Sequence, residues 1–263
     1  MIADVPQLVG VVFASVLGGV ANSVAGGGML LVFPALIGLG VPPVAANATS
    51  TLARWPGGLS SMLGSRRALR GTGAWVRAMV GPSLLGGAIG AWLLTRSTDA
   101  QFKALVPWLV LGATVLFLMQ SRVSAWLRRR IGDKAQSVPA DAQLRAPGIG
   151  AMALQCAVSV YGGYFGAGAG IIMLASFGLL GLTNVHQMNG LKNFLGLSFN
   201  FVAILTFALS GLVHWPIGVL MAVGSTVGGH YAARYAQRAN QDVVRRLIGV
   251  IGIANAIWLF VTR

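Results

Sequence analysis

Ala25-Gly26-Gly27-Gly28-Met29-Leu30-Leu31 interrupts a long apolar run with a cluster of small residues. Ala167-Gly168-Ala169-Gly170-Ile171-Ile172-Met173 repeats that interruption in the second half of the chain. Glycine frees the backbone and weakens a helix. Two such breaks at corresponding places in two halves predict unwound backbone that lines a polar site inside a membrane.

Composition supports that setting. Of 263 residues, 56% are hydrophobic and 9% charged, with a mean hydropathy of +0.75. Soluble domains carry about 25% charged residues, so this chain is read as an all-α polytopic membrane protein. A net charge of +14 would suggest nucleic acid in a soluble protein; in a membrane protein it reports topology instead. No nucleic-acid partner is expected, and the lipid bilayer is. The single cysteine, Cys156, lies in an apolar run, which excludes disulfides within the chain and cysteine metal clusters. The stretch Met1 to Gln7 has an acid and no base, a poor signal-peptide start, so the first apolar run is expected to remain as a helix.

Apolar segments separated by Pro, Gly or charge run about 8–25, 29–39, 44–64, 78–94 and 104–119 in the first half. The second half repeats the plan at about 148–165, 171–181, 187–210, 216–233 and 247–261. A spanning helix needs about 20 residues, so the pieces after the glycine breaks are half-helices or short, steep spans. At a constant offset of 142 the pairs Asn47/Asn189, Ser83/Ser225, Gly86/Gly228, Gly87/Gly229 and Arg96/Arg238 are identical, as are Gly26/Gly168 and Gly28/Gly170. Glycine and alanine matches are cheap in such a chain, and coincidence is the bland account. The Asn and Arg pairs and the matching segment lengths favour an internal repeat. The expected organisation is a first transmembrane repeat at 1–120, a basic cytoplasmic linker at 121–146, and a second transmembrane repeat at 147–263.

Charge orients the halves. Fourteen of nineteen bases fall in 66–77, 122–145 and 234–246, and short cytoplasmic loops collect Lys and Arg. With those regions inside and five crossings per half, the repeats are inverted, each with four long helices plus one short or half-helix after the glycine break. Both termini then lie on the periplasmic side. If the short segments re-enter instead, the repeat is parallel and the loop at 234–246 lies outside. Inverted repeats with broken helices are a mark of secondary transporters.

Two bases, Arg54 and Lys192, fall well inside apolar segments, while the acids Asp4, Asp99, Asp133, Asp141 and Asp242 lie at termini or in loops. Intramembrane charge is costly and usually functional; snorkelling to the interface is the structural alternative. Buried bases without buried acids point to a small anionic substrate. Asn47, Ser50, Thr51 and Arg54 share one helix face, as do Asn189, Lys192 and Asn193. Hydrogen bonding between helices is the competing role for such polar faces. The breaks add Gly26, Gly27, Gly28, Gly168, Ala169 and Gly170, whose half-helix N-termini attract anions, with Asn22, Ser23 and Tyr164 nearby. Close packing through small residues is the alternative for glycines, and Gly86, Gly87 and Gly90 are assigned to it. The three histidines have no metal-ligand spacing, and no paired carboxylates or Ser/His/Asp grouping occur. No catalytic residue, metal or cofactor is expected, and the protein is read as a non-enzyme.

The run Gly18-Gly19 through Ala25-Gly26-Gly27-Gly28-Met29-Leu30-Leu31-Val32-Phe33-Pro34, followed by Val44-Ala45-Ala46-Asn47-Ala48-Thr49-Ser50, resembles the TauE/SafE sulfite exporter family. Gly162-Gly163-Tyr164-Phe165-Gly166-Ala167-Gly168-Ala169-Gly170 matches that family's repeated pattern. The second copy departs from the first at Ser176, opposite Pro34, and at Lys192, opposite Ser50. The resemblance implies a multi-pass permease of the bacterial inner membrane for sulfite, organosulfonates or related small anions, usually in export. The resulting expectation is alternating access around a site between the two repeats. A non-transporting assembly or sensor subunit and a channel-like anion uniporter are the alternatives.

Overall fold

The computed structural model describes residues 5–25, 28–131, 146–235 and 241–261. Among them the first half forms α1 (Val5–Ala25), α2 (Met29–Gly38), α3 (Pro43–Gly64), a 3-10 turn (Arg66–Leu69), α4 (Gly73–Arg96) and α5 (Asp99–Ile131). The second half forms α6 (Ile149–Tyr164), α7 (Ala169–Leu179), α8 (Val185–Leu209), α9 (Trp215–Tyr235) and α10 (Gln241–Val261). Among the described residues no strand occurs. Three helix starts recur at the offset that relates the two halves: Pro43 and Val185, Gly73 and Trp215, Asp99 and Gln241.

Local chemistry fixes the helix ends. Leu39-Gly40-Val41 closes α2 as a Schellman motif, with Gly40 N–H donating to Ile37 O at 2.9 Å and Val41 N–H to Leu36 O at 3.1 Å. Gly40 adopts φ +79° there, a conformation open to glycine. The same bonding closes α7 through Gly181 and α8 through Gly211. Thr98 and Gln101 form a reciprocal capping box at the start of α5, with bonds of 3.0 and 3.2 Å. Asn184 caps α8 by accepting from the His186 and Gln187 N–H groups at 3.0 and 3.2 Å.

The helix α3 is capped differently. Pro42, just before it, has no side-chain acceptor, and Asp99 Oδ1 accepts the Val44 N–H from 55 residues away at 3.1 Å. Asp99 is therefore the first residue of a helix, where the sequence reading put it in a loop. A second boundary also moves. The helix α5 continues to Ile131, eleven residues into the stretch read as linker. The segment from Ser121 to Ile131 holds no Gly or Pro, and Ala, Leu and Arg are good helix formers. At 1.5 Å per residue this 33-residue helix is about 50 Å long, well beyond the ~30 Å hydrocarbon core. The remainder of the linker, 132–145, lies outside the described residues.

Helices α4, α5 up to Val123, and α8 are each long and apolar enough to cross a membrane. By contrast α2 and α7, with ten and eleven residues, reach about 15–16 Å, half the hydrocarbon thickness. Exposed faces are apolar: Val9, Phe13 and Leu17 on α1 form an i, i+4, i+8 stripe that is 42–64% exposed. In lipid such a stripe is solvated by acyl chains. The molecule is a multi-pass membrane protein.

The chain forms two compact units, and each draws on both sequence halves. One contains Met1–Gly57, Leu94–Leu118 and Phe207–Arg263; the other contains Gly58–Leu93 and Met119–Thr206. In the first, α1 packs along α9: a Cβ on Gly19 would sit 2.8 Å from Ser225 Cα, and one on Gly228 would strike Val16 O. In the second, α4 packs along α6 and α8 in the same manner. A Cβ on Gly86 would meet Ser159 Cβ at 2.8 Å, and one on Gly87 would meet Phe199 O at 2.7 Å. Gly90 lies against Val160 O and Tyr164 N. These are backbone-on-backbone approaches that only small residues allow, the role assigned to Gly86, Gly87 and Gly90. The fourth helix of each half thus packs in the unit that holds the other half's first three helices or most of them.

Candidate functional site

In the first unit, α3 carries Asn47, Ser50, Thr51 and Arg54 on one face, the first three at most 5% exposed. Thr51 Oγ1 donates to Asn47 O at 2.9 Å, the usual i−4 bond of a helical threonine. Among the described residues, Ser50 Oγ is buried without a hydrogen-bond partner. So are Nε and Nη2 of Arg54. Those two nitrogens form one edge of the planar guanidinium, the fork that takes two oxygens of a single oxyanion. An unpaired buried cation is expensive, and a ligand carrying negative charge would remove that cost.

Neighbouring elements hold this face in place. Ser225 Oγ of α9 donates to Ala53 O at 2.7 Å, on the residue preceding Arg54. His214 N–H, at the entrance to α9, donates to Thr49 Oγ1 at 3.1 Å. Asn22 on α1 lies between Gly57 of α3 and Gly28: a Cβ on Gly57 would be 3.9 Å from Asn22 Nδ2, and one on Gly28 would be 3.0 Å from Asn22 Cβ. Gly28 also packs its backbone against Gly18 of α1. Asn22, Gly28, Asn47, Ser50, Thr51 and Arg54 therefore belong to one unit. Of their expected companions, Gly26 and Gly27 and the Ser23 side chain lie outside the described residues.

The other expected residues belong to the second unit. The break between α6 and α7 is built by Gly166 and Gly168, at φ +82° and +79°. The Tyr161 hydroxyl donates to Ala167 O within it. Ala169 begins α7, and Gly168 O accepts from Ile171 N–H at 2.9 Å. Tyr164 ends α6. Lys192 runs its stem along the first turn of α7, with its Cδ 3.3 Å from the position of a Cβ on Gly170. A lysine laid beside a helix N-terminus joins two positive ends, an arrangement that an anion would relieve. The two asparagines beside it are engaged otherwise. Asn189 Nδ2 donates to Val185 O at 3.0 Å, and Asn193 Nδ2 to Ser65 Oγ at 3.0 Å. The Asn193 donor joins α8 to the turn after α3, as in the competing role named for such faces, while the Asn189 donor stays on its own helix.

Sequence reading missed the supporting residues. Ser225 was visible as half of the Ser83/Ser225 pair, but nothing in the sequence said that it bonds beside Arg54. Thr49 stands in the polar run before Arg54, but its pairing with His214 joins positions far apart in the chain and has no mark in the sequence. Among the described residues no group of three His, Cys, Asp or Glu side chains is placed to hold a metal.

Known proteins resemble the chain over nearly its whole length. It is 27% identical over 246 residues to the Probable membrane transporter protein ORF9 of Sinorhizobium sp, covering 94% of this chain and 89% of that one. A Probable membrane transporter protein of Haemophilus influenzae is 28% identical over 233 residues, covering 88% and 85% respectively. The Probable membrane transporter protein YfcA of Escherichia coli K12 is 27% identical over 248 residues, covering 94% and 87%. No solved structure matches. The family model Sulfite exporter TauE/SafE matches residues 11–259, which takes in both glycine breaks, Arg54 and Lys192. The chain belongs to the TauE/SafE sulfite exporter family of membrane transporters.

Proposed function

We propose that the protein exports sulfite, an organosulfonate or a related small oxyanion across the bacterial inner membrane by alternating access. The observation that carries this reading is the Arg54 edge: Nε and Nη2 are buried and unpartnered, with Ser50 Oγ unpartnered one turn away. That edge matches two oxygens on one sulfur or carbon better than it matches a halide or a neutral solute. Its setting also supports a site where the two sequence halves meet, since Ala53 of α3 is bonded by Ser225 of α9. Lys192 and the first turn of α7 offer a second anion-attracting place, in the other unit.

The five-plus-five arrangement is part of the proposal. The recurrence of helix starts at one constant offset supports the repeat. The clustering of bases at 66–77, 122–145 and 234–246 supports the inverted sense, with those loops cytoplasmic and both termini periplasmic. Flux in proteoliposomes tests the function. Sulfite or sulfonate should move with the wild type and be strongly reduced in Arg54→Ala. Absence of flux in the wild type, or unaltered flux in the variant, would reject the reading. Counterflow exchange, which requires a carrier cycle, separates alternating access from a channel-like uniporter.

A further inference from the structure

Pro34 stands in the interior of α2, five residues beyond its start at Met29. Proline has no N–H, and inside a helix it leaves the carbonyl four residues back without its donor. That carbonyl belongs to Leu30, which is 3% exposed, so water cannot readily replace the lost bond. A side chain from the other sequence half does. Asn255 of α10 donates Nδ2–H to Leu30 O at 3.1 Å, across 225 residues and within one compact unit. Helix α10 follows α2 further, with the Trp258 indole 3.9 Å from the position of a Cβ on Gly38.

The corresponding positions in the repeat lack both parts together. Ser176 is the counterpart of Pro34 in the second half, and it has an N–H to give to the carbonyl four residues back. Ala113 is the counterpart of Asn255 in the first half, and its side chain has no donor to offer. Where the proline is absent, so is the asparagine.

We infer that Asn255 is the positioning residue of the first turn of α2. Its amide substitutes for the missing Pro34 N–H and fixes the first turn of α2, just beyond the point where Gly28 packs on Gly18 of α1. The half-helix N-terminus is thereby held at one angle, although the helix that bears it is only ten residues long. The link between this turn and anion affinity rests on the transport reading above; the tie itself does not.

The test is a cycle in the full-length chain with Asn255→Leu, Pro34→Ala and the double variant, measured by thermal melting in detergent. Asn255→Leu should lower the midpoint by about 2–4 °C. In the Pro34→Ala background the new N–H serves Leu30 O, and the same change should lower it by less than about 1 °C. Equal losses in both backgrounds would overturn the proposal. Asn255→Ala is run through the same cycle, so that a steric failure of leucine does not decide the matter. In proteoliposomes, Asn255→Leu should raise the half-saturation for sulfite about fivefold, the affinity equivalent of one net hydrogen bond, and Pro34→Ala should reverse this. An unchanged half-saturation beside a lowered midpoint would reduce Asn255 to a structural tie and refute the positioning role. Wild type without flux would fail the transport reading, while the melting cycle would still decide the tie.

Discussion

Replacing Arg54 with methionine should strengthen the ligand-free protein while removing its response to the anion. Arg54 sits at the middle of the 22-residue α3, with Nε and Nη2 buried and unpartnered. A charge at a helix centre in a membrane costs about 2.5–3.5 kcal/mol on insertion scales. Methionine fills the space of the apolar arginine stem, stops short of the guanidinium and carries no such cost, so the ligand-free variant should gain up to about 2–3 kcal/mol, less the cavity left at the guanidinium position. Two hydrogen bonds from a charged donor are worth about 1.5–3 kcal/mol each, so their removal should weaken oxyanion binding by about 10²–10⁴. The assay is thermal melting in detergent, with and without sulfite or a sulfonate. Ligand at a hundredfold excess over Kd should stabilise the wild type by about 2.7 kcal/mol, a shift of about 5–11 °C at about 2–4 °C per kcal/mol. In Arg54→Met the ligand-free midpoint should rise and the ligand shift should vanish. A variant that melts lower without ligand, or that keeps the shift, would show that the guanidinium is satisfied by the protein and would refute the argument.

Four further outcomes follow from the geometry. Lys192→Met should raise the half-saturation for the anion without lowering the ligand-free midpoint; unchanged flux would mark Lys192 as a packing residue. Gly168→Ala should cost about 1–2 kcal/mol because alanine at φ +79° is strained, whereas Gly170→Ala, which need only move the Lys192 stem by tenths of an ångström, should melt nearly as the wild type does. Gly86→Leu and Gly228→Leu should each abolish accumulation of folded protein, since both would drive a side chain into backbone; normal expression of either would contradict the packing described for α4 and α9. Asp99→Ala should lose about 1 kcal/mol in a thermal melt, the worth of a cap, by freeing the Val44 N–H of α3 and by removing an acid from the first turn of α5.

Much of this was written locally in the chain. Composition determined that the protein lives in a membrane, because 9% charge cannot clothe 263 residues in water. Gly40, Gly181, Thr98 with Gln101, and Asn184 have partners within a few residues, and the C-terminal ends of α2 and α7 and the starts of α5 and α8 lie within a turn or two of the apolar segments read from the sequence. The two glycine breaks were legible for the same reason, and Arg54 stood out because a charge in an apolar run has few cheap explanations. Where α5 ended was less legible, since a basic helix leaving the membrane resembles a linker in hydropathy alone.

Only tertiary structure decided who packs with whom. In water a polar face and an apolar face tell a helix which side to bury; in lipid nearly every face is apolar, and hydropathy no longer encodes pairing. Helix α4 therefore sits with α6 and α8, and α9 with α1, through glycines whose partners no periodicity names. The same holds for single polar side chains. Asp99 caps α3, Ser225 bonds beside Arg54, and Asn255 fills the carbonyl that Pro34 leaves open, each across 55 to 225 residues. The sequence could show that Arg54 was buried in an apolar run. That its forked edge finds no hydrogen-bond partner among the described residues depends on how the neighbouring helices pack around it.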